Sequence, residues 1–168
     1  MLNTRIVSTL LAGALLTSGT AAMAEDDGFF LKLAGTSVHF GDTEGVDFNT
    51  ANLGLGIGYT WSGVDLGPVK DVDVSLSGTV YRDSFYCDAV NVQLRGTKAV
   101  SKRLAVGLAL NAAHKCQTPN SEPYGFIAPT LVATYDLSDR FSLAFDAAPA
   151  IKDINEIGFV GVSLEMKF

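Results

Sequence analysis

Three residues far apart in the chain have the types needed for chemistry: His39, and the adjacent pair Asp83-Ser84. An imidazole that titrates near neutrality takes a proton from a hydroxyl, a carboxylate fixes which ring nitrogen carries it, and a serine hydroxyl attacks or hydrogen-bonds a carbonyl. The same Asp-Ser pair is ordinary turn chemistry, and a single exposed histidine is ordinary surface, so the types alone decide nothing. Two cysteines, Cys87 and Cys116, form the other notable pair. His114 and Cys116 would supply half of a zinc site, but no C-x-x-C or H-E-x-x-H spacing completes it, and a disulfide is the better account in an exported chain. No metal and no cofactor is expected.

Export itself is read from the first residues. Asn3, Thr4 and Arg5 give a polar, positively charged start, an apolar run follows from Ile6 to Leu16, and Ala22-Met23-Ala24 ends in small residues. Residues 1–24 therefore read as a cleaved signal peptide and residues 25–168 as a single domain. A transmembrane anchor does not fit, because Ser8, Gly13, Thr17, Ser18 and Gly19 break the run well short of a bilayer's thickness. Charge narrows the partners. With 12 Lys+Arg against 18 Asp+Glu and a net charge of −6, the chain lacks the basic stripe that nucleic acid requires.

His39 and Ser84 lie on different segments, so the segments must be brought together by a sheet. Alternation with a period of two recurs along the chain: Leu53, Leu55, Ile57 and Tyr59 around Gly54, Gly56 and Gly58; Val90, Val92 and Leu94 around Asn91, Gln93 and Arg95; Val160, Val162, Leu164 and Met166 around Gly161, Ser163 and Glu165. Helical spacing fails and strand spacing fits. Eight strands are placed at about 29–40, 50–61, 71–82, 87–97, 103–113, 124–135, 141–148 and 157–168. A soluble sandwich would bury the apolar set, whereas a membrane barrel turns it outward and encloses Lys32, Asp73, Arg95, Glu165 and Lys167. Strands of roughly ten residues, the export signal, and aromatic residues near strand ends (Phe29, Tyr59, Trp61, Tyr135, Phe141) favour the barrel. The fold expected is thus an all-β, eight-stranded antiparallel transmembrane barrel of up-and-down topology, a monomer in the bacterial outer membrane.

With both termini in the periplasm, the connections 62–70, 98–102 and 136–140 face inward to the cell, and those near 41–49, 83–86, 114–123 and 149–156 face outward. His39, Asp83, Ser84, Cys87, His114 and Cys116 then all fall at the outer rim, where a Cys87–Cys116 disulfide would tie strand four to the third outer loop. Above the charged floor, the inward positions Ala34, Gly54, Ala89, Gly107, Ala109, Ala144 and Gly161 are small, with Asn91, Asn111 and Asp146 as polar exceptions. They either leave a pocket for an acyl chain or simply fill a narrow barrel, and composition favours the second. Pro129 in strand six and Pro149 at the end of strand seven each remove a ladder donor, which suggests a lateral gap between these strands.

Ser37-Val38-His39-Phe40, Leu53-Gly54-Leu55-Gly56-Ile57-Gly58-Tyr59, Val80-Tyr81-Arg82-Asp83-Ser84-Phe85 and the stretch from Pro129 to Pro149 together resemble the lipid A palmitoyltransferase family of outer-membrane barrels. The terminal strand ending in Phe168 also resembles the assembly signal read by the barrel-assembly machinery. The resemblance implies an acyltransferase that moves a chain from a phospholipid donor to lipid A at the outer leaflet. His39 would then be the general base, Asp83 its orienting partner, Ser84 the hydrogen-bonding or nucleophilic group, and Pro129 and Pro149 the edges of a lateral entrance. Two alternatives stay open: a non-enzymatic small barrel with a structural or interaction role, and a lipid A deacylase.

Overall fold

The computed structural model describes residues 27–41, 47–115, 122, 124–150 and 157–168. The signal-peptide reading of residues 1–24 and the thiol of Cys116 lie outside these. Eight strands follow one another: β1 (Gly28–Gly41), β2 (Gly54–Leu66), β3 (Val69–Arg82), β4 (Asp88–Ala99), β5 (Leu104–Lys115), β6 (Tyr124–Asp136), β7 (Phe141–Ala148) and β8 (Ile157–Lys167). Each pairs antiparallel with the next, and β8 returns to β1, so the sheet closes on itself with no free edge.

The alternation dictates which side meets lipid. Leu55, Leu108 and Ile127 are 60%, 63% and 70% exposed on the outer wall, while Lys32, Arg95 and Glu165 are buried within. An ionised group is kept in a protein interior only with a partner, and exposed apolar side chains on this scale need a lipid solvent. Phe29, Tyr59 and Trp61 stack edge-on in series, with centroids 4.9 and 5.0 Å apart, at the end holding the chain termini. Tyr135 and Phe141 extend the same girdle; exposed Phe40, Tyr86 and Tyr124 form its counterpart at the other end. The chain is a transmembrane β-barrel of the bacterial outer-membrane type, and that membrane is its location.

Two departures from the expected strands have physical causes. The connection placed at 62–70 is mostly strand: β2 and β3 run on past the barrel wall and turn only at Gly67-Pro68. Gly63 and Gly67 take positive φ of 66° and 61°, and the register shifts twice between Trp61 and Leu66, so the hairpin is extended by irregularities that strict alternation cannot show. Conversely β2 begins at Gly54, because residues 47–53 cross the outer rim as irregular chain held by Ser37 and Thr36 on Thr50.

A bulge in β1 matters most. Against β8, Ala34 pairs with Ser163 and Thr36 with Val162, leaving Gly35 as the extra residue. Below it Phe30 and Lys32 point inward; above it Ser37 is buried while Val38 is 63% exposed to lipid. The inward parity has switched from even to odd, and this is what turns His39 into the lumen rather than the bilayer.

Candidate functional site at the outer end of the lumen

The lumen holds two cavities separated by one layer of side chains. That layer is built from ion pairs. Arg95 Nη1 and Nη2 donate to Glu165 Oε1 and Oε2 at 2.8 and 2.9 Å, and Arg95 Nε donates to Ser75 Oγ at 3.0 Å. Lys32 Nζ lies 3.7 Å from Asp146 Oδ2 and 3.9 Å from Glu165 Oε1, and donates to Gln93 Oε1 at 3.3 Å. Gln93 Nε2 in turn donates to Asp146 Oδ1 at 2.7 Å and to Asn111 Oδ1 at 3.0 Å. Phe30 lies beneath, its ring 5.6 Å from the Arg95 guanidinium carbon.

Phe30 also explains part of the glycine stripe. A Cβ at Gly58 would sit 2.3 Å from the Phe30 ring, one at Gly56 2.5 Å from Thr79 Oγ1, and one at Gly54 2.3 Å from both Tyr81 Cβ and Val80 O. These glycines let neighbouring side chains and backbone lie close against the wall. The space expected from small residues is therefore largely taken.

What remains on the outer side is a cavity of about 200 Å³, with His39, Tyr81, Asp83, Ser84, Lys115 and Phe126 among its lining residues and Lys32, Gln93 and Asp146 at its floor. The topology thus brings His39, Asp83 and Ser84 to one site, as their places on the strands imply. It does not join them: among the described residues no hydrogen bond links His39 to Asp83 or to Ser84. Asp83, 1% exposed, organises its own turn, its Oδ1 accepting from Phe85 N at 2.9 Å and Cys87 N at 2.8 Å. Among the described residues, its Oδ2 and the Nδ1 of His39 have no hydrogen-bond partner. The His39 ring stacks on Phe48, centroids 4.3 Å apart and nearly parallel at 6°. Ser84 Oγ accepts from Asn52 Nδ2 at 3.3 Å.

Asn49, Asn52 and Lys115 are additions that strand periodicity alone did not single out. Buried Asn52 accepts from Ser37 Oγ and donates to Arg82 O at 3.2 Å, bridging β1 to the β3–β4 turn. Asn49 Nδ2 donates to Asp83 O at 3.0 Å. Their signal was available: extending the inward parity of Gly54 and Gly56 back by one step reaches Asn52. Lys115 reaches the site because β5 runs two residues beyond its expected end, and its Nζ sits 5.0 Å from the Phe85 ring centre and 5.5 Å from that of Phe126.

The β6–β7 ladder ends at Leu131↔Ala147, so residues 124–130 of β6, Pro129 included, have no β7 partner, and β7 stops at Ala148 just before Pro149. Pro129 itself faces Leu110 of β5 across the intact side. Cys87 closes the β3–β4 turn and is not a free thiol. Among the described residues no group of His, Cys, Asp and Glu is arranged to hold a metal.

No family model and no curated protein matches the chain. Among solved structures it is similar to Ail, the attachment invasion locus protein of Yersinia pestis, at 12% identity and a TM-score of 0.45 over 84% of this chain and 97% of that one. It is also similar to Neisserial surface protein A, at 12% identity and a TM-score of 0.44 over 86% and 100%, and to a de novo designed transmembrane β-barrel, at 14% identity and 0.42 over 84% and 95%.

Proposed function

We propose that this outer-membrane barrel is non-enzymatic, acting through its closed wall and its outer rim rather than by turnover. One observation carries the reading: the three candidate catalytic residues are tethered separately. Asp83 serves its turn, His39 stacks on Phe48, and Ser84 is held by Asn52. A Cys87–Cys116 bridge pinning the β3–β4 turn to the loop after β5 fits this role, as does assembly through the strand that ends in Phe168.

The second reading is acyl transfer from a phospholipid to lipid A. It is favoured by the convergence of His39, Asp83 and Ser84 on one cavity and by the end of the β6–β7 ladder at Leu131, beside which a sideways route past Pro129 would lie. Mass spectrometry of lipid A from cells lacking the protein, and from cells carrying wild type or a His39→Ala/Ser84→Ala double variant, separates the two. The non-enzymatic reading expects identical lipid A in all three and full rescue of envelope detergent resistance by the double variant. Acyl mass added only by wild type would replace it with acyl transfer; acyl mass lost only with wild type would mean a deacylase.

A further inference from the structure

We infer that the lumen is a closed ion pathway and that the Arg95–Glu165 pair is its gate. The outer cavity has its counterpart at the periplasmic end, a vestibule of about 890 Å³ whose lining includes Phe30, Asp71, Asp73, Arg140 and Lys167. The vestibule wall is more polar than apolar, while the outer cavity is walled mainly by apolar groups above a polar floor; both reach the same partition from opposite sides: Arg95 and Glu165 line the lower cavity, Lys32, Gln93 and Asp146 the upper. The barrier at that partition is a single layer of charged and polar side chains, not a packed apolar plug.

That layer also has somewhere else to go. Lys32 is shared between two carboxylates at 3.7 and 3.9 Å, neither of them a close contact, and so is able to hold either one alone. Asp73 on β3 faces the vestibule one inward position below Ser75, the residue that pairs with Arg95. Arg95 turned down toward Asp73, with Glu165 retained by Lys32 and Asp146 by the Gln93 amide at 2.7 Å, leaves every charged group with a polar partner while vacating the middle of the lumen. A gate needs two such arrangements of similar energy, each with its charges matched.

The charges left behind when one partner is neutralised set the sign of selectivity. Arg95→Gln leaves Asp146 and Glu165 facing Lys32, which favours cations. Glu165→Gln leaves Lys32 and Arg95 facing Asp146, which favours anions. The experiment is single-channel recording of the full-length protein, folded in detergent and inserted into planar bilayers across a potassium chloride gradient. Wild type is expected to be closed for most of the record with brief discrete openings. Each neutralised variant should raise the open fraction at least tenfold, with reversal potentials of opposite sign, and the exchange Arg95→Glu with Glu165→Arg should close the lumen again.

Folding of each variant is read independently from its heat-shifted electrophoretic mobility. If a single neutralisation does not fold, Arg95→Ser with Glu165→Ser, which shortens both sides and leaves no unpaired charge at that level, takes its place and must conduct. No current above protein-free bilayers from folded variants overturns the inference. So does leakage of equal ion preference from both, since that would place the leak in the wall.

Discussion

The two ends of the lumen are built from similar residue types and finished differently. At the level of Arg95 and Glu165, among the described residues, the charged side chains satisfy one another: a bidentate pair, a lysine between two carboxylates, and a glutamine bridging to Asn111. At the outer end, among the described residues, four polar atoms are buried without a protein partner, and none of their residues lines the periplasmic vestibule. Full mutual satisfaction makes a plug in which removing one member strands the charge of another. Unmatched atoms lose no hydrogen bond when they are replaced, so they can be changed at smaller cost. Stability is thus divided unevenly along the barrel axis.

The sharpest way to break this contrast is at the plug. Arg95→Met leaves the Glu165 carboxylate, 4% exposed, with only the distant Lys32, and should lower stability by about 3–5 kcal/mol in urea unfolding from detergent micelles. Adding Glu165→Leu removes the stranded charge, and the double variant should recover most of that loss. Single and double variants of equal stability would mean that the pair is not a unit, and the distinction between the two ends would lose its basis.

A second, smaller effect tests whether glycine sets the diameter of the upper lumen. Gly54→Ala forces a Cβ to 2.3 Å from Val80 O, which is backbone and cannot swing away, so a loss of about 1–3 kcal/mol is expected. Gly78, on the neighbouring strand, has open space where its Cβ would be, and Gly78→Ala should change stability by less than about 0.5 kcal/mol. Equal effects in the same unfolding assay would show that the wall yields at Gly54, and the cavity would then be free to widen.

Much of this was legible in the residues. Period-two patterning placed eight strands, because a wall with lipid on one side and charge on the other leaves no freedom in parity. Up-and-down topology then carried His39, Asp83 and Ser84 to one rim. What the pattern hid were its own interruptions. Leu31 and Leu33 are apolar at odd positions, Val38 and Phe40 at even ones, and that change of parity marks the bulge at Gly35; read as an unbroken strand, it would send His39 into lipid. Gly54, Gly56 and Gly58 were legible as small but not as occupied, since the intruding Phe30, Thr79 and Tyr81 come from other strands. Asn52 was within reach, one inward step back from Gly54, but its tether to Ser84 was not, because Ser84 lies in a turn that has no period to read.

The smallest effect falls at Asp83, where the two descriptions of the outer end make opposite demands. If the residue serves its turn, one oxygen is enough: Oδ1 takes the amides of Phe85 and Cys87, and Oδ2 has no partner to lose. Asp83→Asn keeps an oxygen in that place and turns its amide toward the cavity, so stability should stay within about 0.5 kcal/mol of wild type. Asp83→Ala removes the acceptor from two backbone donors at once and should cost about 0.5–2 kcal/mol, the range for loss of a side-chain cap. The gap between Asn and Ala isolates the hydrogen bonds from the charge. Were asparagine as damaging as alanine in thermal unfolding, the charge itself would be doing the holding, with Lys115 of the same cavity as its cationic candidate. The outer end would then be tied by electrostatics as the plug is, and its unmatched atoms would no longer set it apart.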